Sequence, residues 1–166
     1  MFKKIYLPIF SFAPLIFGYL HNWMISYIIN IPIIFFIYWY VFPVLMALFW
    51  FWVGGKFAQS NVKIFISVLL GNLVGIISLL VYFWQYFLIS DSNRNITLAP
   101  LSLMFSSTIS IFIARLAYLF QPNKNVIDSL SMLSTIQIMG LMLMIIIFTI
   151  GYYYKKRKIN SVNKIG

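Results

Sequence analysis

Side chains that could carry out acid–base or metal chemistry are scarce in this sequence of 166 residues. It contains one histidine, His21, two aspartates, Asp91 and Asp128, and neither glutamate nor cysteine. General acid–base catalysis needs a titratable group at the reacting centre, and a zinc site needs more ligands than one histidine. The sequence motifs of zinc hydrolases, serine hydrolases and phosphate-binding loops do not occur in it. We therefore predict no enzyme activity, no metal site and no cofactor.

A few polar residues interrupt long apolar stretches at similar depths and form a candidate intramembrane polar cluster. Its members are Asn72, Ser110, Arg115 and Gln137. An ionised side chain inside a bilayer costs about 2.5–3.5 kcal/mol on insertion scales, so we expect Arg115 to have water or a partner such as Asp128. We favour the interpretation that Arg115 reaches the headgroups while the amides link neighbouring helices. The alternative is a polar cavity for an ion or small solute. We place His21 at a turn on the opposite membrane side from this cluster.

Small residues recur at helical spacing in two of the apolar stretches. The candidate helix-packing residues are Gly71 and Gly75 in one stretch and Ser102 and Ser106 in the next. Lipid supplies no hydrophobic drive for helices to meet, so close van der Waals contact between small residues has to hold them together. We predict that these two helices pack antiparallel along their small-residue faces. A hydroxyl-lined pathway along the second of them is the functional alternative.

Five apolar segments make up most of the sequence, which is 63% hydrophobic and 8% charged. They run from 5 to 20 (or on to 29), 31 to 53, 64 to 89, 98 to 120 and 130 to 154. About 20 apolar residues, at about 1.5 Å of rise each, cross a hydrocarbon core of about 30 Å. We predict an all-α, polytopic transmembrane helix bundle with four to five full crossings. Residues 1–154 would form this single domain, and residues 155–166 a short basic tail.

Proline, glycine and aromatic residues predict where the helices begin, bend and end. Prolines and a glycine in the first segment predict that it does not form one straight helix. Pro32 suits the first turn of the second helix, and Pro43 predicts a kink within it. The aromatic run 50–52 predicts an interfacial belt. The glycines at 54 and 55 predict the end of that helix.

The net charge of +10 comes from cations that flank the apolar segments, which indicates contact with anionic lipids and not with nucleic acid. With five crossings, the two sides of the membrane would carry six lysines and arginines each, so the positive-inside rule gives no orientation. If the first segment only dips into the membrane, the count becomes eight against four. The cluster at 155–158 favours a cytoplasmic C-terminus. Insertion in both orientations, as an antiparallel homodimer, is a third possibility.

Isoleucine outnumbers leucine by 28 to 20, and lysine outnumbers arginine by 9 to 3. Such a bias is typical of an AT-rich genome, so we expect a bacterial protein of the cell membrane. Its expected role is that of a non-catalytic subunit, accessory or assembly partner within the bilayer. The alternative is a small transporter or channel that uses the intramembrane polar cluster, as a homo-oligomer. Anionic lipids at the basic tail, and a membrane protein partner or a second copy, are the expected partners.

Overall fold

The computed structural model describes residues 7–60, 62–110, 112–114 and 129–162. These residues form helices and connecting turns and contain no strand, which confirms the all-α prediction. The helices are α1 (Leu7–Phe10), α2 (Ala13–Ile28), α3 (Pro32–Ala58), α4 (Ile64–Gly71), α5 (Leu73–Phe83), α6 (Leu98–Ser107) and α7 (Ser129–Val162). A π-helical turn, Trp84–Leu88, extends α5, and a 3₁₀ turn, Asp91–Asn93, follows it.

Two of these helices are long and apolar enough to cross a membrane, over Pro32–Ala58 and Leu130–Ser161. A third crossing is present if α4 and the extended α5, which meet at an angle of 52°, count as one broken span. Within the described residues, two or three helical spans are therefore long and apolar enough to cross a membrane, which is consistent with a helical membrane protein. Five crossings are not supported.

The first and third apolar segments are both broken. In the first, α1 ends at Phe10 and α2 begins at Ala13, which confirms that this segment is not one straight helix. In the third, the expected single helix is interrupted at Asn72, whose φ of −103° and ψ of 10° are not helical. The Asn72 side chain donates to the carbonyl oxygen of Val68 at 2.9 Å. Asparagine competes in this way for backbone partners and so favours helix ends.

Two helices extend beyond the ends that we predicted for them. Helix α3 begins at Pro32, as expected, but it continues through Gly54 and Gly55 to Ala58, so the two glycines are not a helix stop. Helix α7 includes the basic cluster at 155–158 and ends only at Val162. Its 34 residues correspond to about 51 Å, well beyond the hydrocarbon thickness of about 30 Å. The first part of the expected basic tail is therefore a helical extension of α7.

Contacts along α7 define the direction of the third segment. The hydroxyl of Tyr152 donates to the carbonyl oxygen of Val62 at 2.8 Å, just before α4 begins. At the other end of the segment, the hydroxyl of Tyr82 lies 3.0 Å from that of Ser134. The third segment is thus antiparallel to α7. We call the end at Val62 and Tyr152 the basic end and the end at Tyr82 the opposite end.

The N-terminal helices complete the bundle. Ring contacts pair Phe10 with Trp52 at 5.6 Å and Phe17 with Phe49 at 5.6 Å, and a hydrogen bond joins His21 to Tyr38. As the residue number rises along α1 and α2, that of the α3 partner falls. The first segment is therefore antiparallel to α3, and it starts near the basic end.

The fourth segment and α7 start at the same end of the bundle. Just before α6, the backbone N–H of Asn95 donates to the side-chain oxygen of Gln85 at 2.9 Å, at the opposite end. Helix α7 begins at that same end, where Leu130 and Ser134 contact Tyr82. The ten residues of α6 reach about 15 Å, half of a bilayer core. The described part of the fourth segment therefore does not support a full crossing.

This chain path changes the distribution of charge between the two ends. The basic end carries Lys56, Lys63, Lys155, Lys156, Arg157 and Lys158. Arg94 lies at the opposite end and forms an ion pair with Asp91 at 2.5 Å. Both charge counts made from the sequence placed Lys56 and Lys63 across the membrane from the 155–158 cluster, which is wrong because each assumed that segment four crosses. Arg115 and Lys124 lie outside the described residues.

Glycines allow α3 and α7 to pack with their backbones in contact. A Cβ atom added to Gly54 would overlap the carbonyl oxygen of Phe148, and one added to Gly151 would overlap that of Phe51. Around this crossing the rings of Trp50, Phe57 and Phe148 pack together at centroid separations of 5.2–5.9 Å. All three side chains are almost fully buried. Trp50, which we assigned to an interfacial belt, is therefore part of the core.

Candidate functional site

Asn72 lies in the core at the break between α4 and α5 and is fully buried. Its side-chain oxygen accepts a hydrogen bond from the indole N–H of Trp50 at 3.3 Å. Its amide nitrogen donates to Val68 in the preceding turn, as described above. Both polar atoms of the asparagine side chain thus have partners, and one of them links the third segment to α3.

Gln137 links α7 to α6. Its side-chain oxygen accepts a hydrogen bond from the hydroxyl of Ser106 at 2.5 Å. Both side chains are buried, with exposures of 7% and 1%. One turn further along α7, a Cβ on Gly140 would lie 2.7 Å from that of Ser106, so the two helices are in close contact here. The amide therefore acts as an interhelical link at a tightly packed position.

Ser110 faces a different set of neighbours. Its hydroxyl donates to the backbone carbonyl of Ser107 at 2.8 Å. With Ser107 it borders a small crevice that His21, Trp39 and Pro43 also line. His21 thus lies within α2 and on the same crevice as Ser110, and its placement at a turn far from the cluster is wrong.

His21 is held by aromatic residues of α3. Its Nδ1 atom lies 2.9 Å from the hydroxyl of Tyr38, and its ring stacks on that of Phe42 with centroids 5.0 Å apart. The side chain is 5% exposed. This arrangement joins α2 to α3 through one hydrogen bond and three ring contacts, with Tyr38, Trp39 and Phe42.

The described members of the predicted intramembrane polar cluster do not form one hydrogen-bonded group. Among its three described members, Asn72, Ser110 and Gln137, no hydrogen bond joins any two. Each bonds to different residues, and two of their four side-chain hydrogen bonds connect separate helices. Arg115 and its proposed partner Asp128 lie outside the described residues. The described geometry therefore resembles a set of helix links more than a solute site.

The predicted packing residues are buried, but they face partly different partners from those expected. A Cβ on Gly71 would lie 2.5 Å from the ring of Phe148 in α7, and one on Gly75 would overlap the ring of Phe105 in α6. Ser102 donates to the carbonyl oxygen of Ala99 in its own helix at 2.6 Å, and Ser106 faces α7. The two small-residue faces therefore pack around α7 as well as against each other.

Two features of the core were not predicted from the sequence. Trp50 was placed at the interface, although its N–H is the donor to Asn72. Gly54 and Gly151, which set the crossing of α3 and α7, were taken as a helix stop or not considered. A glycine inside an apolar helical run, far from any turn residue, was the available signal for close backbone approach.

Comparisons with models of protein families, with curated proteins and with solved structures find no match to this chain.

The Asn72 link predicts a measurable loss of stability. Replacing Asn72 by Leu leaves the buried Trp50 N–H without an acceptor, and we expect the free energy of unfolding to fall by about 1–2 kcal/mol. Ser110→Ala is the matched control, because its hydroxyl bonds only within its own turn, and we expect it to be nearly silent. Thermal unfolding in mild detergent measures both. Equal stability of Asn72→Leu and the parent would contradict the proposed link.

Proposed function

We propose that this chain is a non-catalytic, multi-pass protein of a bacterial cell membrane that serves as a subunit, accessory or assembly partner of a larger membrane system. One observation carries the proposal. Two buried amide side chains within the membrane segments, Asn72 and Gln137, each accept a hydrogen bond from a neighbouring helix. Such a bundle presents an apolar surface to other membrane proteins and leaves few polar groups that could bind a solute or take part in a reaction.

The proposed topology has four traverses, formed by α1 with α2, by α3, by α4 with α5, and by α7. The fourth apolar segment is not counted as a traverse, because α6 and α7 both begin at the opposite end. The basic end would lie in the cytoplasm, because lysine and arginine accumulate on the cytoplasmic side of membrane proteins. Among the described residues, six cations at this end, against the paired Arg94 at the other, support a cytoplasmic C-terminus.

A crosslinking experiment in the native membrane tests the proposed role. A photoreactive residue placed at Ile37, which is 56% exposed on α3, should give a crosslink of defined mass to a different membrane protein. Met144, which is fully buried, is the matched control position and should give none. The crosslinked species should then purify in mild detergent at a fixed stoichiometry.

The transport alternative predicts a different result from the same preparation. In that case the purified chain would form a homo-oligomer, and the position 37 crosslink would have twice the mass of the chain. Reconstituted alone into liposomes, it would also pass an ion or a small solute. Flux by the purified chain would overturn the subunit proposal.

A further inference from the structure

A groove opens at the basic end, between the last turns of α3 and the part of α7 that emerges from the apolar run. Its volume is about 200 Å³. The residues that line it combine cationic, amide, aromatic and glycine positions: Phe51, Trp52, Gly55, Lys56, Gln59, Gly151, Tyr154 and Lys155. It therefore combines hydrogen-bond donors with apolar walls at one place.

The groove exists because glycines form its floor. At Gly151 the backbones of α3 and α7 touch, as described above, which fixes the spacing of the two helices. At Gly55 an added Cβ would lie 3.5 Å from the Cβ of Lys155, an ordinary contact distance. A small side chain would fit at Gly55 without moving either helix, whereas a large one would fill the groove.

The charge of the groove is not neutralised by the described part of the chain. Lys56 and Lys155 lie on its two walls, and the Lys56 ammonium is 5.0 Å from the centre of the Trp52 ring. Within the described ranges the acidic side chain is Asp91, which pairs with Arg94 at the opposite end. Two lysines that line one groove, together with the polar side chain of Gln59, favour an anionic occupant.

The aromatic side chains that line the groove indicate which kind of molecule carries that anion. Trp52 and Tyr154 are 45% and 61% exposed, and they lie where the apolar run of α7 gives way to lysine and arginine. Exposed tryptophan and tyrosine at this level are typical of the membrane interface. Lysine and arginine pockets between transmembrane helices on the cytoplasmic side bind lipid headgroups.

We propose that this groove binds the headgroup of one anionic glycerophospholipid. Lys56 and Lys155 would contact the phosphate and Gln59 would donate to it, while Trp52 and Tyr154 would pack against the glycerol and upper acyl chains. This goes beyond a diffuse attraction of lipids to the basic cluster, because it assigns a single site with two defined cations.

Native mass spectrometry of the full chain in mild detergent tests the site. The probes are phosphatidylglycerol, which is anionic, and phosphatidylcholine, which has no net charge. The parent should retain phosphatidylglycerol with clear preference. The double variant Lys56→Gln/Lys155→Gln should bind it about thirtyfold more weakly, since each lysine near a membrane surface contributes about 1 kcal/mol.

A matched double variant separates a site from general electrostatics. Lys63→Gln/Lys158→Gln removes the same charge from the same end but lies outside the groove, so we expect a change of less than about threefold. Gly55→Leu keeps every charge and fills the groove, so it should also lose the lipid, while Gly55→Ala should retain it. Thermal unfolding confirms that each variant is folded.

Several outcomes would overturn the proposal. Equal losses in the two double variants would indicate diffuse attraction, and equal retention of the two lipids would remove the selectivity for anions. Full displacement of phosphatidylglycerol by millimolar inorganic phosphate would assign the groove to a free anion. Because this assay measures lipid retention by the isolated chain, its result is independent of whether a protein partner is found.

Discussion

Gly151→Ala is expected to lower the midpoint of thermal unfolding in mild detergent by about 10 °C, and Gly54→Ala should have a similar effect. A Cβ at either position would overlap a backbone carbonyl oxygen of the facing helix. Backbone atoms cannot rotate away as a side chain can, so α3 and α7 must separate. That separation would disrupt packing around Phe148, which lies at the centre of the core.

Gly55→Ala is the control for this prediction. It adds the same methyl group one residue further along α3, where the nearest atom is a side-chain carbon of Lys155 at 3.5 Å. We expect a change of no more than about 2 °C, because alanine also favours the helix over glycine. If Gly151→Ala and Gly55→Ala are equally stable, the close crossing of α3 and α7 is wrong.

Single-cysteine labelling should divide the chain between the two membrane sides in a pattern that five crossings cannot produce. The natural sequence contains no cysteine, so each introduced thiol reports alone. We expect Gln59→Cys and Asn160→Cys to react with a membrane-impermeant maleimide from one side. Ser92→Cys and Ser131→Cys should react only from the other side.

Five crossings predict the opposite pairing, in which position 59 groups with 131 and position 92 with 160. The difference is all or none, because an impermeant reagent cannot reach a thiol across an intact bilayer. Intact cells report one side, and inverted membrane vesicles report the other. Reaction of all four thiols in both preparations would instead support insertion in both orientations. If the basic end is cytoplasmic, positions 59 and 160 react only in the inverted vesicles.

Membrane class and helix content could be predicted from local properties of the sequence. The hydrophobicity and length of each segment are enough to require helices in a bilayer, because each backbone group there must find a partner within its own segment. The start of α3 at Pro32 and the break in the first segment also follow from local chemistry, through the fixed φ of proline and its missing N–H. The absence of cysteine and the scarcity of acidic residues and histidine are likewise visible in the sequence.

The direction of the fourth segment could not be predicted in this way, because length and hydrophobicity do not say from which end a segment leaves the bilayer. The hydrogen bonds of Asn95 with Gln85 and of Tyr82 with Ser134 put the starts of α6 and α7 at one end. That single change of path brings Lys56 and Lys63 to the side of the 155–158 cluster. Among the described residues, six cations then lie at one end and one at the other, in place of the tied count made from the sequence.

The roles of Asn72, Gln137 and Trp50 also depended on tertiary structure. The sequence gives the approximate depth of each residue in the bilayer, but the rotation of each helix about its axis depends on the helices packed around it. Trp50 turns inward because Gly54 and Gly151 let α3 and α7 meet closely, which brings its indole N–H to Asn72. Gln137 reaches Ser106 because α6 lies along α7. The depth of a residue in the bilayer follows from the local sequence. The direction in which its side chain faces, and the residue to which it bonds, depend on how the helices pack.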